Sequence, residues 1–408
     1  MTASSSLRWS VVLVVLAGLL TGVAARAETE ADSTGQPGRL VIVGGALDPE
    51  HEAIYQAFLQ GVDESAKVGV VPLASGVPER SGPLTVQDIQ QYTTTPARVF
   101  DTKLTNNRPA DAATRAMAKR LAECGALWFT GGDQSRITNA MRPGSGDTPS
   151  YRAVLSILKR GGTIGGTSAG AAMMSRHMIT GGSSRDAMLL GANKGYDVPG
   201  VGYRQGMALL PDGVVDQHFL RRGRFGRLLV ATGQLNERLG IGISENRALA
   251  VELNTQKGVA VGDEAVTLID LEDAEYTRHR WSNVRVSLLS DGDQCDFKTV
   301  TITPASDRVA LDSARSTGVP GLVFHSVWDP YVIQHMLRAL ALNPGQPVAS
   351  SDGTFDFRMT ADAETRFYAA APGNPPALTA VNVRLDITPR DNLKQRIAER
   401  RKQLAEQN

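Results

Sequence analysis

Short runs of apolar, β-branched residues that stop on glycine constrain this chain more than any other feature. Leu40-Val41-Ile42-Val43 ends on Gly44-Gly45, Leu127-Trp128-Phe129-Thr130 ends on Gly131-Gly132-Asp133, and Thr163-Ile164 runs into Gly165-Gly166. Val68 to Leu73 is a further run of this kind. Apolar runs without polar alternation are the pattern of strands buried on both faces, as in a parallel sheet covered by helices. The segments between them keep the helical period: Ile54, Tyr55, Phe58, Leu59 and Val62, then Met117 and Leu121 after Pro109 and Asp111, then Val154, Leu155 and Leu158 between Tyr151 and Arg160. Strand, helix and strand repeated in this way predict an α/β domain with a parallel sheet over residues 39–265.

The chain has 408 residues, 42% of them apolar, enough to fill a sizeable core. Its 43 Lys and Arg stand against 42 Asp and Glu, leaving a formal charge of +1, so no global field draws it to nucleic acid or an anionic membrane. Arg8, the apolar stretch from Val11 to Ala24 and Ala25-Arg26-Ala27 have the three-part layout of a secretory signal peptide over residues 1–27. The stretch is short for a spanning helix, which needs about 20 apolar residues. Cleavage near Ala27 and a secreted or periplasmic mature chain are the expectation, with residues 28–38 as a polar, flexible leader. Export permits disulfides, yet Cys124 and Cys295 allow one bridge at most. Cys124, before Gly125-Ala126-Leu127-Trp128-Phe129, reads as a small buried side chain. Six scattered histidines and two lone cysteines make no zinc-ligand spacing, so no metal or other cofactor is expected.

After residue 265 the texture changes. Val284 to Leu288 and Thr299 to Thr303 alternate on either side of Asp291-Gly292, the mark of antiparallel strands around a turn. Residues 266–408 are therefore expected to form a mainly β C-terminal extension. It ends in a solvated helix over 389–408, with Leu393, Ile397 and Leu404 on one stripe.

Gly166-Thr167-Ser168-Ala169-Gly170 matches the G-x-S-x-G nucleophile elbow, in which a sharp strand-to-helix turn lifts a serine hydroxyl above the sheet. The glycines let chain and substrate approach the turn, and the Ala169 N–H that follows is placed to bind a developing oxyanion. Ala171 to Met174 continue as helix, with Met173 and Met174 reading as core. A serine hydroxyl needs a base, and a base needs a group to orient it. Among the histidines His218 stands out, because it follows the strand-like Gly213-Val214-Val215 at the ligand end of a parallel sheet. Glu245, after Gly240-Ile241-Gly242-Ile243-Ser244, is placed to serve as the acid, or else is a surface charge on a loop.

Three segments resemble the cyanophycinases, a family related to the peptidase E type of serine exopeptidase. They are Thr130 to Gln134, Gly165 to Ala171, and the string from Asp216-Gln217-His218-Phe219 through Arg222, Arg224 and Gly226-Arg227-Leu228. The third is the most specific, and the resemblance covers residues from about 38 to 260. It implies a three-layer α/β domain of the class I glutamine amidotransferase-like type. It also implies Ser168 as nucleophile, His218 as base and Glu245 as third member, with the N–H groups of Gly132 and Ala169 forming the oxyanion hole. Gln134, Asp216, Gln217, Arg222, Arg224 and Arg227 would shape the substrate pocket.

Cyanophycin is a polymer of aspartate whose β-carboxyls each carry an arginine. The resemblance implies its hydrolysis to β-aspartyl-arginine dipeptides through an acyl-enzyme on Ser168, and a homodimer. Arginine forks suit a substrate carboxylate, and Asp216 suits a substrate guanidinium. The same arginines also read as the solvated face of a helix from Arg221 to Glu237, on which Arg221, Arg224 and Leu228 share a side. Ser244 departs from the family, which often has an acidic residue there, and so bears on the subsite around Glu245. Two other readings stand beside this one: an aspartyl or isoaspartyl dipeptidase, and a catalytically silent binding protein of the same fold. Glutamine amidotransfer is set aside, because that chemistry uses cysteine at the elbow.

Overall fold

The computed structural model describes residues 38–144, 146–312 and 321–407. The signal peptide expected over 1–27 and nearly all of the leader expected over 28–38 lie outside the described residues. The glycine-terminated apolar runs form the parallel part of a sheet of nine strands among the described residues, in the spatial order Arg39–Val43, Thr163–Thr167, Cys124–Phe129, Lys67–Val71, Val99–Asp101. On the other side of Arg39–Val43 the sheet continues antiparallel through Arg247–Glu252, Lys257–Gly262, Gln294–Asp296 and Thr301–Thr303.

Successive side chains of the first strand enter different cores. Leu40 and Ile42 pack with Leu121, Val154, Ile157, Leu158 and Ile164, while Val41 and Val43 pack with Ile54, Tyr55, Phe58 and Trp128. Both faces are covered, so the strand shows no polar alternation. Met173 and Met174 are fully buried in the first of these cores.

A second sheet, of eleven strands among the described residues, starts from Val214–Asp216 and Leu239–Ile243, which are parallel. Val266–Asp270, Trp281–Leu289 and Leu378–Pro389 then follow antiparallel, and beyond them lie Phe355–Thr360 and Val348–Ser351. The boundary drawn at residue 265 thus falls between neighbouring strands of one sheet, with Ile243 opposite Val266. The helices Phe225–Gln234 and Val332–Leu342, one from each side of that boundary, share its core. The last helix is Leu393–Gln407. Arg400 ties it to the helix Ser184–Leu190 through a two-pronged pair with Asp186, at 2.6 and 2.8 Å.

The strands flanking Asp291-Gly292 are antiparallel, as expected, but they do not pair with each other. Trp281–Leu289 belongs to the second sheet, and Thr301–Thr303 pairs with Gln294–Asp296 in the first. The turn passes the chain between the two sheets, and Asp293 fastens it there. This carboxylate is fully buried and accepts the N–H groups of Ser290 and Ala305 (2.7 and 2.8 Å) and the hydroxyl of Thr379 (2.6 Å). Cys124 and Cys295 are free and buried, and burial pushes their thiols up to about 11 and about 12. Replacing Asp293 by alanine leaves three donors without acceptors. Asp293→Ala should lower stability by about 3 kcal/mol or more, read as an earlier urea midpoint at unchanged slope; an unaltered midpoint would show that water replaces the carboxylate at no cost.

Candidate active site

The turn Val43-Gly44-Gly45, which leaves the first strand, gathers three distant segments. Its carbonyls accept, in order, the N–H of Ser168 (2.9 Å), of His218 (2.7 Å) and of Asn246 (3.1 Å). Strand register places Val43 opposite Thr167, so the elbow begins where this turn begins. Ser168, His218 and Asn246 all have positive φ, at 54°, 48° and 52°. A non-glycine residue held in this region costs on the order of 1 kcal/mol or more. The three hydrogen bonds help to hold that strain.

The glycines of the elbow answer to close packing. A Cβ on Gly166 would lie 2.5 Å from the Gly170 carbonyl oxygen, and one on Gly170 would lie 2.3 Å from that of Phe129. Gly45, at φ +108°, has the His218 ring where its Cβ would be, 2.4 Å away.

These constraints bring the side chains of Ser168, His218 and Glu245 together. The Ser168 Oγ lies 2.9 Å from His218 Nε2, and His218 Nδ1 lies 2.6 Å from Glu245 Oε1. An ionised Glu245 accepts from Nδ1–H, which leaves the Nε2 lone pair facing the serine hydroxyl. The imidazole is 9% exposed and the glutamate 23%. Burial holds the His218 pKa below the ordinary imidazole value of 6.5; the hydrogen bond to Glu245 opposes that shift, and the charges of Arg222 and Arg224 reinforce it. The ring is therefore neutral and basic at neutral pH. Such an arrangement can move the serine proton to Nε2 and stabilise the imidazolium that results.

Gly131 and Gly132 run beside the serine. A Cβ on Gly131 would be 3.4 Å from Ser168 Cβ, and Gly132, at φ +140°, has no room for one, because it would meet the Ala74 carbonyl at 2.1 Å. Among the described residues the N–H groups of Gly132 and Ala169 have no acceptor. They remain free to donate to a carbonyl oxygen that gains negative charge when its carbon is attacked by the Ser168 Oγ.

The residues expected to shape a pocket divide. Arg222 is exposed on the turn after His218, and its N–H donates to the His218 carbonyl (3.1 Å). Arg224 is half-buried and donates to both the carbonyl and the side-chain oxygen of Gln217, each at 2.6 Å. Asp216 and Arg227, contrary to expectation, are closed to a ligand: they grip each other through two bonds of 2.6 and 2.7 Å, with 1% and 5% exposure. Asp216 therefore offers no open carboxylate to a substrate guanidinium. Its charge instead offsets the crowding of Arg227 and Arg224 beneath the surface. Gln134 is buried, and its amide nitrogen donates to the Ile179 carbonyl (2.7 Å), so it pins the segment after Ile179 beside the Gly132 loop.

The helix expected from Arg221 to Glu237 spans only Phe225–Gln234. Arg221 to Arg224 form a turn ahead of it, so Arg221, Arg224 and Leu228 do not share a helical face. Ser244 is fully buried with a hydroxyl that has no partner among the described residues.

Sequence reasoning missed the part played by Gly44 and Gly45, although a glycine pair ending the strand next to the elbow strand was a usable signal. Fold and side chains together define a candidate hydrolase built around an elbow serine.

No family model matches the chain. It is 32% identical over 274 residues to a cyanophycinase of Geminocystis herdmanii, covering 64% of this chain and 94% of that one. It is 30% identical over 287 residues to a cyanophycinase of Trichormus variabilis, covering 66% and 89%. A solved peptidase from an acI-B1 actinobacterium is similar at 18% identity and a TM-score of 0.42, over 65% of this chain and 98% of that one. The chain belongs to the cyanophycinase family, and with it to the peptidases.

Two outcomes follow from the geometry. Gly45→Ala forces the His218 ring away from Ser168 and should reduce kcat/KM by about a hundredfold or more; near-normal activity would show that the ring can be relocated freely. Because the His218 pKa is lowered, the acid limb of kcat/KM should fall below pH 6.5, and Arg222→Gln, which removes a charge that lowers it, should move that limb upward. A limb that stays put in Arg222→Gln would remove Arg222 from the electrostatics of the histidine.

Proposed function

We propose that this chain is a serine exopeptidase that hydrolyses cyanophycin to β-aspartyl-arginine dipeptides. The observation that carries the reading is the contact series from Ser168 Oγ to His218 Nε2 (2.9 Å) and from His218 Nδ1 to Glu245 (2.6 Å). Membership of the cyanophycinase family supports the substrate.

In this reading the Ser168 Oγ attacks a main-chain carbonyl carbon of the polymer while its proton passes to His218 Nε2. The carbonyl oxygen becomes an oxyanion and meets the N–H groups of Gly132 and Ala169. The C–N bond then breaks, the His218 proton goes to the departing amine, and an acyl-enzyme remains on Ser168. Water, losing its proton to the same nitrogen, attacks the acyl carbon and restores the hydroxyl. Glu245 holds the imidazole in the required tautomer throughout.

Arg222 and Arg224 lie at the histidine, close enough to shift its pKa, and suit the carboxylate that each arginyl branch of the polymer carries. We also place the mature enzyme outside the cytoplasm, a reading that rests on the residue pattern of positions 8–27 alone.

Purified wild type and Ser168→Ala, each incubated with insoluble cyanophycin and followed by mass analysis of the supernatant, test the proposal. Wild type should release β-aspartyl-arginine, and Ser168→Ala should be slower by about 10⁴-fold or more while retaining its far-UV circular dichroism. Equal release by both would exclude Ser168 as nucleophile. Release by neither, with cleavage of short aspartyl peptides by wild type, would replace the polymer by a dipeptide substrate.

A further inference from the structure

The turn that carries the arginines beside the histidine is not held by its own segment alone. The residues Ser326 to Tyr331, from the C-terminal third, lie flush against it. A Cβ on Gly223, at φ +56°, would be 1.8 Å from the Trp328 carbonyl oxygen, and one on Gly226 would be 2.6 Å from the Trp328 ring. The Tyr331 N–H donates to the Leu220 carbonyl at 3.0 Å. The Tyr331 hydroxyl donates to Glu264 Oε1 at 2.8 Å, close to the charge of Arg221. Tyr331 itself has φ 63° and ψ 0°, a conformation that costs a β-carbon residue energy and persists only where its surroundings fix it.

The far side of this clamp is anchored. The Trp328 Nε1–H donates to Asp352 at 2.7 Å, and the ring stands edge-on to Phe357 at 5.1 Å. Glu264 sits next to the triad end of its sheet: Ile243 is opposite Val266, and the Ser244 N–H donates to the Ala265 carbonyl at 3.2 Å, which brings Glu264 alongside Glu245.

We propose that Tyr331 and Trp328 are positioning residues for substrate recognition, which hold the Leu220–Gly226 turn so that Arg222 and Arg224 face a carboxylate of the bound polymer. They touch neither the serine nor the histidine. Their effect reaches the site through the turn, whose Arg222 and Arg224 N–H groups donate to the carbonyls of His218 and Phe219 at 3.1 Å each. The proposal rests on the peptidase reading above for its substrate, but its geometry does not.

Two measurements on the full chain separate these dependences. With a soluble tetramer of β-aspartyl-arginine, Tyr331→Phe should raise KM about fivefold and change kcat by less than about twofold, the pattern of lost binding rather than lost chemistry. Diisopropyl fluorophosphate, which makes no arginine contacts, should modify Ser168 at the wild-type rate. Deuterium uptake over residues 219–226 should be faster in Tyr331→Phe than in wild type, and unchanged over 163–175. Trp328→Phe, which keeps a ring against Gly226, should stay closer to wild type in KM and in uptake than Trp328→Ala does.

A KM and an uptake both unchanged in Tyr331→Phe would overturn the proposal. So would an equal fall in kcat and in fluorophosphate labelling, which would indicate general damage. If wild type does not cleave the tetramer, the substrate reading fails, and the uptake over 219–226 still decides whether Tyr331 holds the turn.

Discussion

Three backbone hydrogen bonds to one short turn organise this molecule. The carbonyls of Val43, Gly44 and Gly45 receive the amides of Ser168, His218 and Asn246, residues that the chain keeps far apart in sequence. Each of those residues is in a backbone conformation unfavourable to a side chain, and each lies in or beside the candidate triad. A strained serine lifts its hydroxyl out of the sheet, a strained histidine turns its ring back over Gly45, and a strained asparagine lies in the turn between Leu239–Ile243 and Arg247–Glu252 that carries Glu245 to the ring. Loss of the turn would leave the amides of all three without these acceptors at once.

Charge around this centre is layered. The lowest layer is the closed pair of Asp216 and Arg227, and above it Arg224 is held by Gln217. Arg222 and Arg221 lie in the exposed layer. Burial of a guanidinium is costly unless a carboxylate accompanies it, so the buried pair allows cations to be stacked towards the surface without an uncompensated charge in the core. Burial pushes the Arg224 pKa down to about 10, still far above neutrality, so it stays charged beside a histidine that stays neutral. Cations that add to the effect of burial in keeping the imidazole neutral also suit an anionic ligand.

The C-terminal third is part of this construction. Its strands continue the sheet that begins with Val214–Asp216 and Leu239–Ile243, the two strands that lead directly to His218 and Glu245. Asp293 then ties the crossover between the two sheets to Thr379. Removing that third would leave Val266–Asp270 with an unpaired edge and would expose the apolar face of the helix Phe225–Gln234, a liability for any sheet protein.

Much of the sheet, the elbow and the identity of the serine were legible in the residues themselves. Doubly buried strands must be continuously apolar, and a sharp turn past a serine must be flanked by glycine, so both constraints act on neighbouring residues and leave a local trace. Gly44 and Gly45 were visible as a turn, but their hold on His218 was not, because the ring that fills the place of a Gly45 Cβ comes from a distant segment. Asp216 read as an open carboxylate, and Arg221 to Arg224 as part of a helix, for the same reason: a side chain's partner is not written beside it. The sequence by itself determined the parallel α/β scaffold and the serine at its elbow. Only the tertiary structure decided which carboxylate is already paired, which arginines remain exposed and that Tyr331 and Trp328 lie under them, because contacts across long sequence separations depend on how the two sheets are brought together.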